Sequence, residues 1–254
     1  MRRVLLAAAC FGSIITCVST PVSLDVDANE PLETTVKKPV RPVPGPGQIL
    51  LDGRVVKVRW GDGDTFSLRS LTGKRKNARL AGFNALESYG PVHRWGDWTH
   101  AELYQLAKAA GQVAAASGWT CSTLPGGGGY GRLLVDCPDL ERALLQQGLA
   151  HIFSIKGPGK PDLVAIQIDA QKRAVGFWAK GVPAGLVTSL HSADERSDRT
   201  QAYDRVVNTQ TGEAPAVQHT KNYEVCQEVC HQGSCMIYVP FRMRYGAKRA
   251  TCLR

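Results

Sequence analysis

Two carboxylates on one glycine turn, Gly61-Asp62-Gly63-Asp64-Thr65, open the part of this chain that could do chemistry. Small glycines let a tight turn bring both acids to one spot. A second stretch, Arg79-Leu80-Ala81-Gly82-Phe83-Asn84-Ala85-Leu86-Glu87, reads as a strand bearing one arginine and ending in an amide and a carboxylate. Tyr130-Gly131-Arg132 adds another guanidinium further along. Hard oxygen donors suit Ca2+ or Mg2+, and guanidinium forks match phosphate oxygens. Together they fit a divalent cation held beside a phosphodiester. Taken singly, Asp-Gly-Asp is usually a turn and an Arg with a Glu is usually a salt bridge. It is their joint occurrence, in this order, that carries information.

The elements that must position these residues follow from the apolar pattern. Val55, Val56, Val58 and Trp60 read as a strand, Phe66 to Leu71 as its hairpin partner and Ala78 to Phe83 as a third. Thr99-His100-Ala101-Glu102 is a capping box. It opens a helix with Leu103, Leu106, Ala107, Ala110, Val113 and Ala114 on one stripe, ending near Gly118. Trp119 to Thr123 and Arg132 to Cys137 form a hairpin around Gly126 to Gly129. That glycine run is a flexible turn and not a phosphate loop, because no Gly-Lys-Ser/Thr follows it. Helices are expected over Leu140 to Leu149 and over Pro161 to Ala179. Three strands, a helix, two strands and two helices describe an α+β fold: a five-stranded OB-fold barrel packed with three helices.

In order and wording these segments, with Gln147-Gly148-Leu149-Ala150 closing a helix, resemble the staphylococcal nuclease (thermonuclease-like) family over roughly residues 50 to 180. The resemblance implies a Ca2+ site in which Asp64 is a carboxylate ligand and Asp62 shapes the water around the ion. Asn84 stands where active members place a second aspartate, and Ala85 where a threonine offers its backbone carbonyl. Glu87 matches the glutamate usually assigned as general base, and Arg79 and Arg132 match the arginines that neutralise the phosphate. Tyr130 is implied to contact substrate. Ser154 and Lys156 fall where the family has its base-stacking aromatic pair, leaving Lys156 as a substrate contact. Leu86 replaces a common proline.

The function implied is an exported, Ca2+-dependent, sugar-nonspecific nuclease acting on DNA and RNA, as a monomer and with single strands preferred. The alternative is a catalytically lapsed OB-fold module that holds nucleic acid or another polyanion, and Asn84 is the residue that favours it. A weaker third reading is an envelope-anchored structural protein attached through a cysteine-rich tail.

Charge and cysteines bound the rest. The formal net charge is +9. Residues 48–183 hold 17 basic and 11 acidic groups, so most of the excess sits on the segment with the candidate site. Such a surface raises the local concentration of polyanions without identifying them. Residues 1–19, with Arg2, Arg3 and an apolar run from Val4 to Val18, read as a bacterial-type export signal. Cys10 or Cys17 would supply lipid anchoring to a membrane. Residues 20–47 form a proline-rich tether, 48–183 the barrel domain, 184–222 a linker and 223–254 a small cysteine-rich appendage. Cys121 and Cys137, on the two hairpin arms, are expected to pair, as cysteines there do in secreted family members. Cys226, Cys230, Cys235 and Cys252 are read as two disulfides rather than a metal site, with three connectivities open.

Two segments resist assignment. Ser88 to Trp98, with Tyr89, His93, Arg94, Trp95 and Trp98, is either a loop that stacks nucleobases or one packed by its own aromatics. The run Phe241-Arg242-Met243-Arg244-Tyr245 with Lys248 and Arg249 is either a basic patch or a solvated strand.

Overall fold

A computed structural model describes residues 42–69, 73–195 and 202–254. The expected export signal, Cys10, Cys17 and most of the tether lie outside the described residues. Strand β1 (Gln48–Leu51) turns at Asp52-Gly53 into β2 (Arg54–Trp60), followed by β3 (Thr65–Arg69), β4 (Arg75–Leu80), β5 (Phe83–Ala85) and β6 (His93–Trp95). Helix α1 (His100–Ala116) precedes β7 (Trp119–Leu124) and β8 (Leu133–Asp136). Then come α2 (Pro138–Gln146), β9 (Ala150–Ile152) and α3 (Pro161–Lys172).

The order β1-β2-β3-β4-β8-β7 closes into a barrel. It has six strands, not the expected five. Asp52 and Gly53 both take positive φ (48° and 82°), so residues 48–60 make a hairpin in which Ile49 faces Val56. Closure uses two parallel pairings, β1 with β7 and β4 with β8, which place Arg79 beside Leu134. Inside sit Ile49, Phe66, Ala78, Leu80 and Val135, capped by Ala110 and Ala114 of α1 and by Leu140, Leu144 and Leu145 of α2. The Thr99 capping box forms as the sequence requires.

Two helices are shorter than expected. α2 stops at Gln146 because Gly148 turns at φ 61°, and a Cβ there would come within 2.2 Å of the Val175 carbonyl. The chain then enters β9, which pairs antiparallel with β5 and sets Asn84 against His151. α3 stops at Lys172, since Ala174 and Gly176 take φ values of 50° and 57°. A short 3-10 turn at Gly176–Trp178 follows.

The expected linker over 184–222 is largely sheet. β10 (Gly185–Ser189), β11 (Ala202–Asn208) and β12 (Ala216–His219) form a three-stranded antiparallel sheet. Nor is the cysteine-rich segment a separate appendage. Its hairpin, β13 (Glu228–His231) and β14 (Ser234–Ile237), extends into the barrel half because β14 pairs with β6. Tyr89 and Val92 share a core with Val187, Val206, Met236, Tyr238, Val239 and Leu253. Residues 42–254 accordingly fall in one compact unit.

Three disulfides are present among the described residues. Cys121–Cys137 forms as expected, with Cα atoms 4.4 Å apart. Cys226–Cys252 and Cys230–Cys235 settle the other connectivity. Glu228, Cys230 and Cys235 bring three donor atoms together, but both sulfurs are spent in a covalent bond and neither is a thiolate ligand. The bonds are consistent with an exported protein.

Candidate active site

The acidic turn is held where two helices meet. A Cβ at Gly63 would lie 2.9 Å from Ala110 Cβ and 3.0 Å from Leu144 Cδ1. Likewise, a Cβ at Gly111 would lie 2.6 Å from the Gly61 carbonyl oxygen, so glycine lets α1 close on the turn. The Thr65 hydroxyl donates to Asp62 Oδ1 across it. Asp64 therefore points inward and is only 1 % exposed.

Its two oxygens are both engaged. Arg79 Nη1 donates to Asp64 Oδ1 at 2.7 Å, and the Ala85 amide donates to Oδ2 at 2.7 Å. The other arm of the Arg79 fork, Nη2, donates to Asn84 Oδ1. One guanidinium thus spans the Asp64 and Asn84 oxygens, one on each arm of its fork. Burial pushes the Asp64 carboxyl well up, with Arg79 pulling it down. The opposing acids, Asp62 and then Glu87, push it up further.

Glu87 is half-buried beside the same group of charges. Burial first, then Asp62, raise its carboxyl; Arg244, Arg79 and Arg132 pull it back, in that order. Its backbone is fixed by His93, whose Nε2 accepts the Glu87 amide proton at 3.2 Å. Burial drives the His93 imidazole down to about 3, so at neutral pH it is an uncharged acceptor carrying its proton on Nδ1. Sequence reasoning placed His93 in a candidate stacking loop and missed this positioning role. A lone histidine offers no local signal for it.

Arg132 is oriented by the glycine turn, with Nε donating to the carbonyls of Gly128 at 3.1 Å and Gly129 at 3.3 Å. Tyr130 lies beside it, 94 % exposed, with the guanidinium 5.7 Å from its ring centroid. The structure therefore brings together Asp62, Asp64, Arg79, Asn84, Glu87 and Arg132. Ala85 contacts Asp64 through its amide. Lys156 is exposed on the loop after β9 and makes no hydrogen bond or ion pair with this group among the described residues.

In comparisons with known proteins, no family model and no curated sequence matches this chain.

The segment Ser88 to Trp98 is packed, not free to stack bases. Trp95 Nε1 donates to the Gly181 carbonyl at 3.1 Å and Trp98 Nε1 to the Phe177 carbonyl at 2.8 Å. Trp95 and Phe177 meet edge to face at 5.7 Å. Arg94 is paired with both oxygens of Glu228 at 2.8 and 2.6 Å. On the other side of the site a groove of about 600 Å3 runs between β2 and α1, lined by Arg59, Trp60, Ser88, Lys108 and Gln112 among others.

Proposed function

We propose that this chain is an exported, Ca2+-dependent nuclease that hydrolyses phosphodiester bonds of DNA and RNA on an OB-fold barrel of the thermonuclease type. One observation carries the reading: Asp64 and Asn84 converge on one guanidinium with Glu87 alongside. A carboxylate and an amide oxygen bridged by one guanidinium are hard oxygen donors of the kind Ca2+ accepts, so the residues present fit the ion. When bound, such a cation polarises a phosphoryl oxygen and orients water.

The remaining work falls to side chains. Glu87, its proton affinity raised by burial, takes a proton from a water as that oxygen attacks phosphorus. The ester P–O bond opposite breaks, its oxygen leaves with a proton from solvent, and the products are an alcohol and a phosphate monoester. Arg79 and Arg132 neutralise the charge that gathers on the phosphate oxygens. Asp64 and Asn84 are the residues that would hold the ion, and Arg79, whose fork lies on both, would be the guanidinium next to the bound phosphate. Export is supported by the three disulfides.

The test is cleavage of single- and double-stranded DNA and RNA by the oxidised protein, with Ca2+ or with chelator. Cleavage should need Ca2+ and fall by about 10²–10⁴-fold in Glu87→Gln. Folded protein that cleaves nothing at millimolar Ca2+ would overturn the reading and leave a nucleic-acid-binding module. The neutral amide of Asn84 where a charge would grip the ion favours that second reading. Asn84→Asp is expected to lower the Ca2+ concentration needed for half-maximal cleavage by about tenfold, since each added ligand charge tightens a calcium site.

A further inference from the structure

The C-terminal segment reaches the candidate site. Arg244 Nε donates to the Val239 carbonyl at 3.0 Å, and its guanidinium lies over the Tyr89 ring, 4.5 Å from the centroid. Among the described residues no carboxylate forms an ion pair with it. Tyr245 stands edge-on to Tyr89 at 6.4 Å and to Phe241 at 6.3 Å. Both outer rings face solvent, Tyr245 being 62 % and Phe241 75 % exposed. Arg249 closes the other side, its Nη2 donating to the Tyr89 carbonyl at 2.7 Å.

Tyr89, Arg244, Tyr245 and Arg249, with Ser88 and Tyr104, line an open pocket of about 220 Å3. Two of its lining residues hold unspent polar atoms: the Tyr89 hydroxyl and Arg249 Nε are buried with no hydrogen-bond partner among the described residues. Ser88, the residue after Glu87, lines both this pocket and the groove between β2 and α1. Guanidiniums with free donors match phosphate, and an exposed aromatic face matches an unpaired base.

We infer that the pocket between Tyr89, Arg244, Tyr245 and Arg249 is the subsite for the nucleotide flanking the scissile bond, with its phosphate on Arg244 and its unpaired base against Tyr245. This rests on the nuclease reading above. It gives the segment after Val239 a task that neither the barrel nor the disulfides require of it. It also makes single strands the preferred substrate, because a paired base cannot present its face to Tyr245. The rival assignment is that Arg244 is only a counter-ion for Glu87, whose carboxyl it stabilises more than Arg79 or Arg132 does.

The experiment measures binding of a fluorescently labelled single-stranded oligodeoxynucleotide by anisotropy across a salt series, in the Glu87→Gln protein so that nothing is cut. Arg244→Ala should weaken binding about tenfold and lower the salt slope by about one phosphate contact. Tyr245→Ala should weaken it roughly tenfold or more with the slope unchanged, and should leave duplex binding as it was. Tyr245 is exposed, so that variant folds; should Arg244→Ala melt early, Arg244→Lys replaces it, with an intermediate loss expected. Parent-like binding by the folded variants, or equal losses on duplex and single strand, would overturn the subsite. If the parent cleaves while these variants bind as it does, only the subsite falls. If the parent neither cleaves nor binds, the nuclease reading falls and takes the subsite with it.

Discussion

At the residue scale, the buried acids of this chain are not equivalent. Asp64 has Arg79 and the Ala85 amide, whereas Glu141 on α2 is 3 % exposed and its Oε1 has no hydrogen-bond partner. It packs against the turn into β5, where a Cβ at Gly82 would lie 2.5 Å from that oxygen. Burial pushes its carboxyl up to about 7, Lys160 pulling the other way. An unfolded glutamate titrates at about 4.3. Between these values the folded protein holds a proton that the unfolded chain has released, so Glu141's contribution to stability falls as pH rises through the window. Glu141→Gln removes the ionisation and keeps the shape. The expected result is a gain of about 1–2 kcal/mol at pH 8 that vanishes near pH 4, read from denaturant midpoints. A gain of the same size at both pH values would show that packing, not ionisation, was responsible. His93 and His151 act in the opposite sense. Burial lowers them to about 3 and about 4, so below about pH 6.5 the unfolded chain gains protons that the fold refuses.

At the scale of elements, one buried carboxylate ties the C-terminal half together. Asp204 of β11 is 0 % exposed. It accepts from the Tyr223 hydroxyl at 2.6 Å and lies 3.2 Å from His219 Nε2 on β12 and 2.9 Å from His231 Nε2 on β13. Three separate segments thus depend on one side chain. Asp204→Asn should cost about 3 kcal/mol, because a removed charge leaves buried donors unpaired. A denaturation midpoint within about 0.5 kcal/mol of the parent would show the cluster to be incidental. The sequence made five of the six barrel strands, α1 and the acidic turn legible, since each rests on local signals: alternation, a capping box, glycines at fixed offsets; the short β1 was not read as a strand. β11 was not legible. Its buried residues, Ala202, Asp204, Val206 and Val207, include a charge where the alternation calls for an apolar residue. The pairing of β6 with β14 joins Arg94 to Cys235, across a separation that no short window spans. In the site, the acids and Arg79 could be placed from their order alone. His93 and Arg244 could not, since their roles exist only once distant segments meet.

At the scale of the molecule, those distant meetings decide what counts as a domain. The sequence suggested that residues 48–183 fold alone, with the remainder as linker and appendage. The packing argues otherwise. Leu186 of β10 is buried with Trp95, Leu103, Phe177 and Trp178 of the first half. Tyr89 and Val92 are covered by residues that all come after 183. A Cβ at Gly90 would sit 2.5 Å from Leu253 Cδ2, so the C-terminus is seated directly on the segment after Glu87. Burying each such side chain is worth about 1.5–3 kcal/mol, while a whole domain is typically stable by only about 5–15 kcal/mol. Removing residues 184–254 also leaves β6 without its partner strand and exposes Tyr89 beside the site. The fragment 48–183 should therefore lack a cooperative thermal transition that residues 42–254 show, and should bind an apolar-surface dye at room temperature. A fragment that melts cooperatively within a few degrees of the longer chain would mean that the second half is a passenger on a self-sufficient barrel. In that case Arg244 and Tyr245 would be held beside Glu87 by contacts too weak to define a subsite.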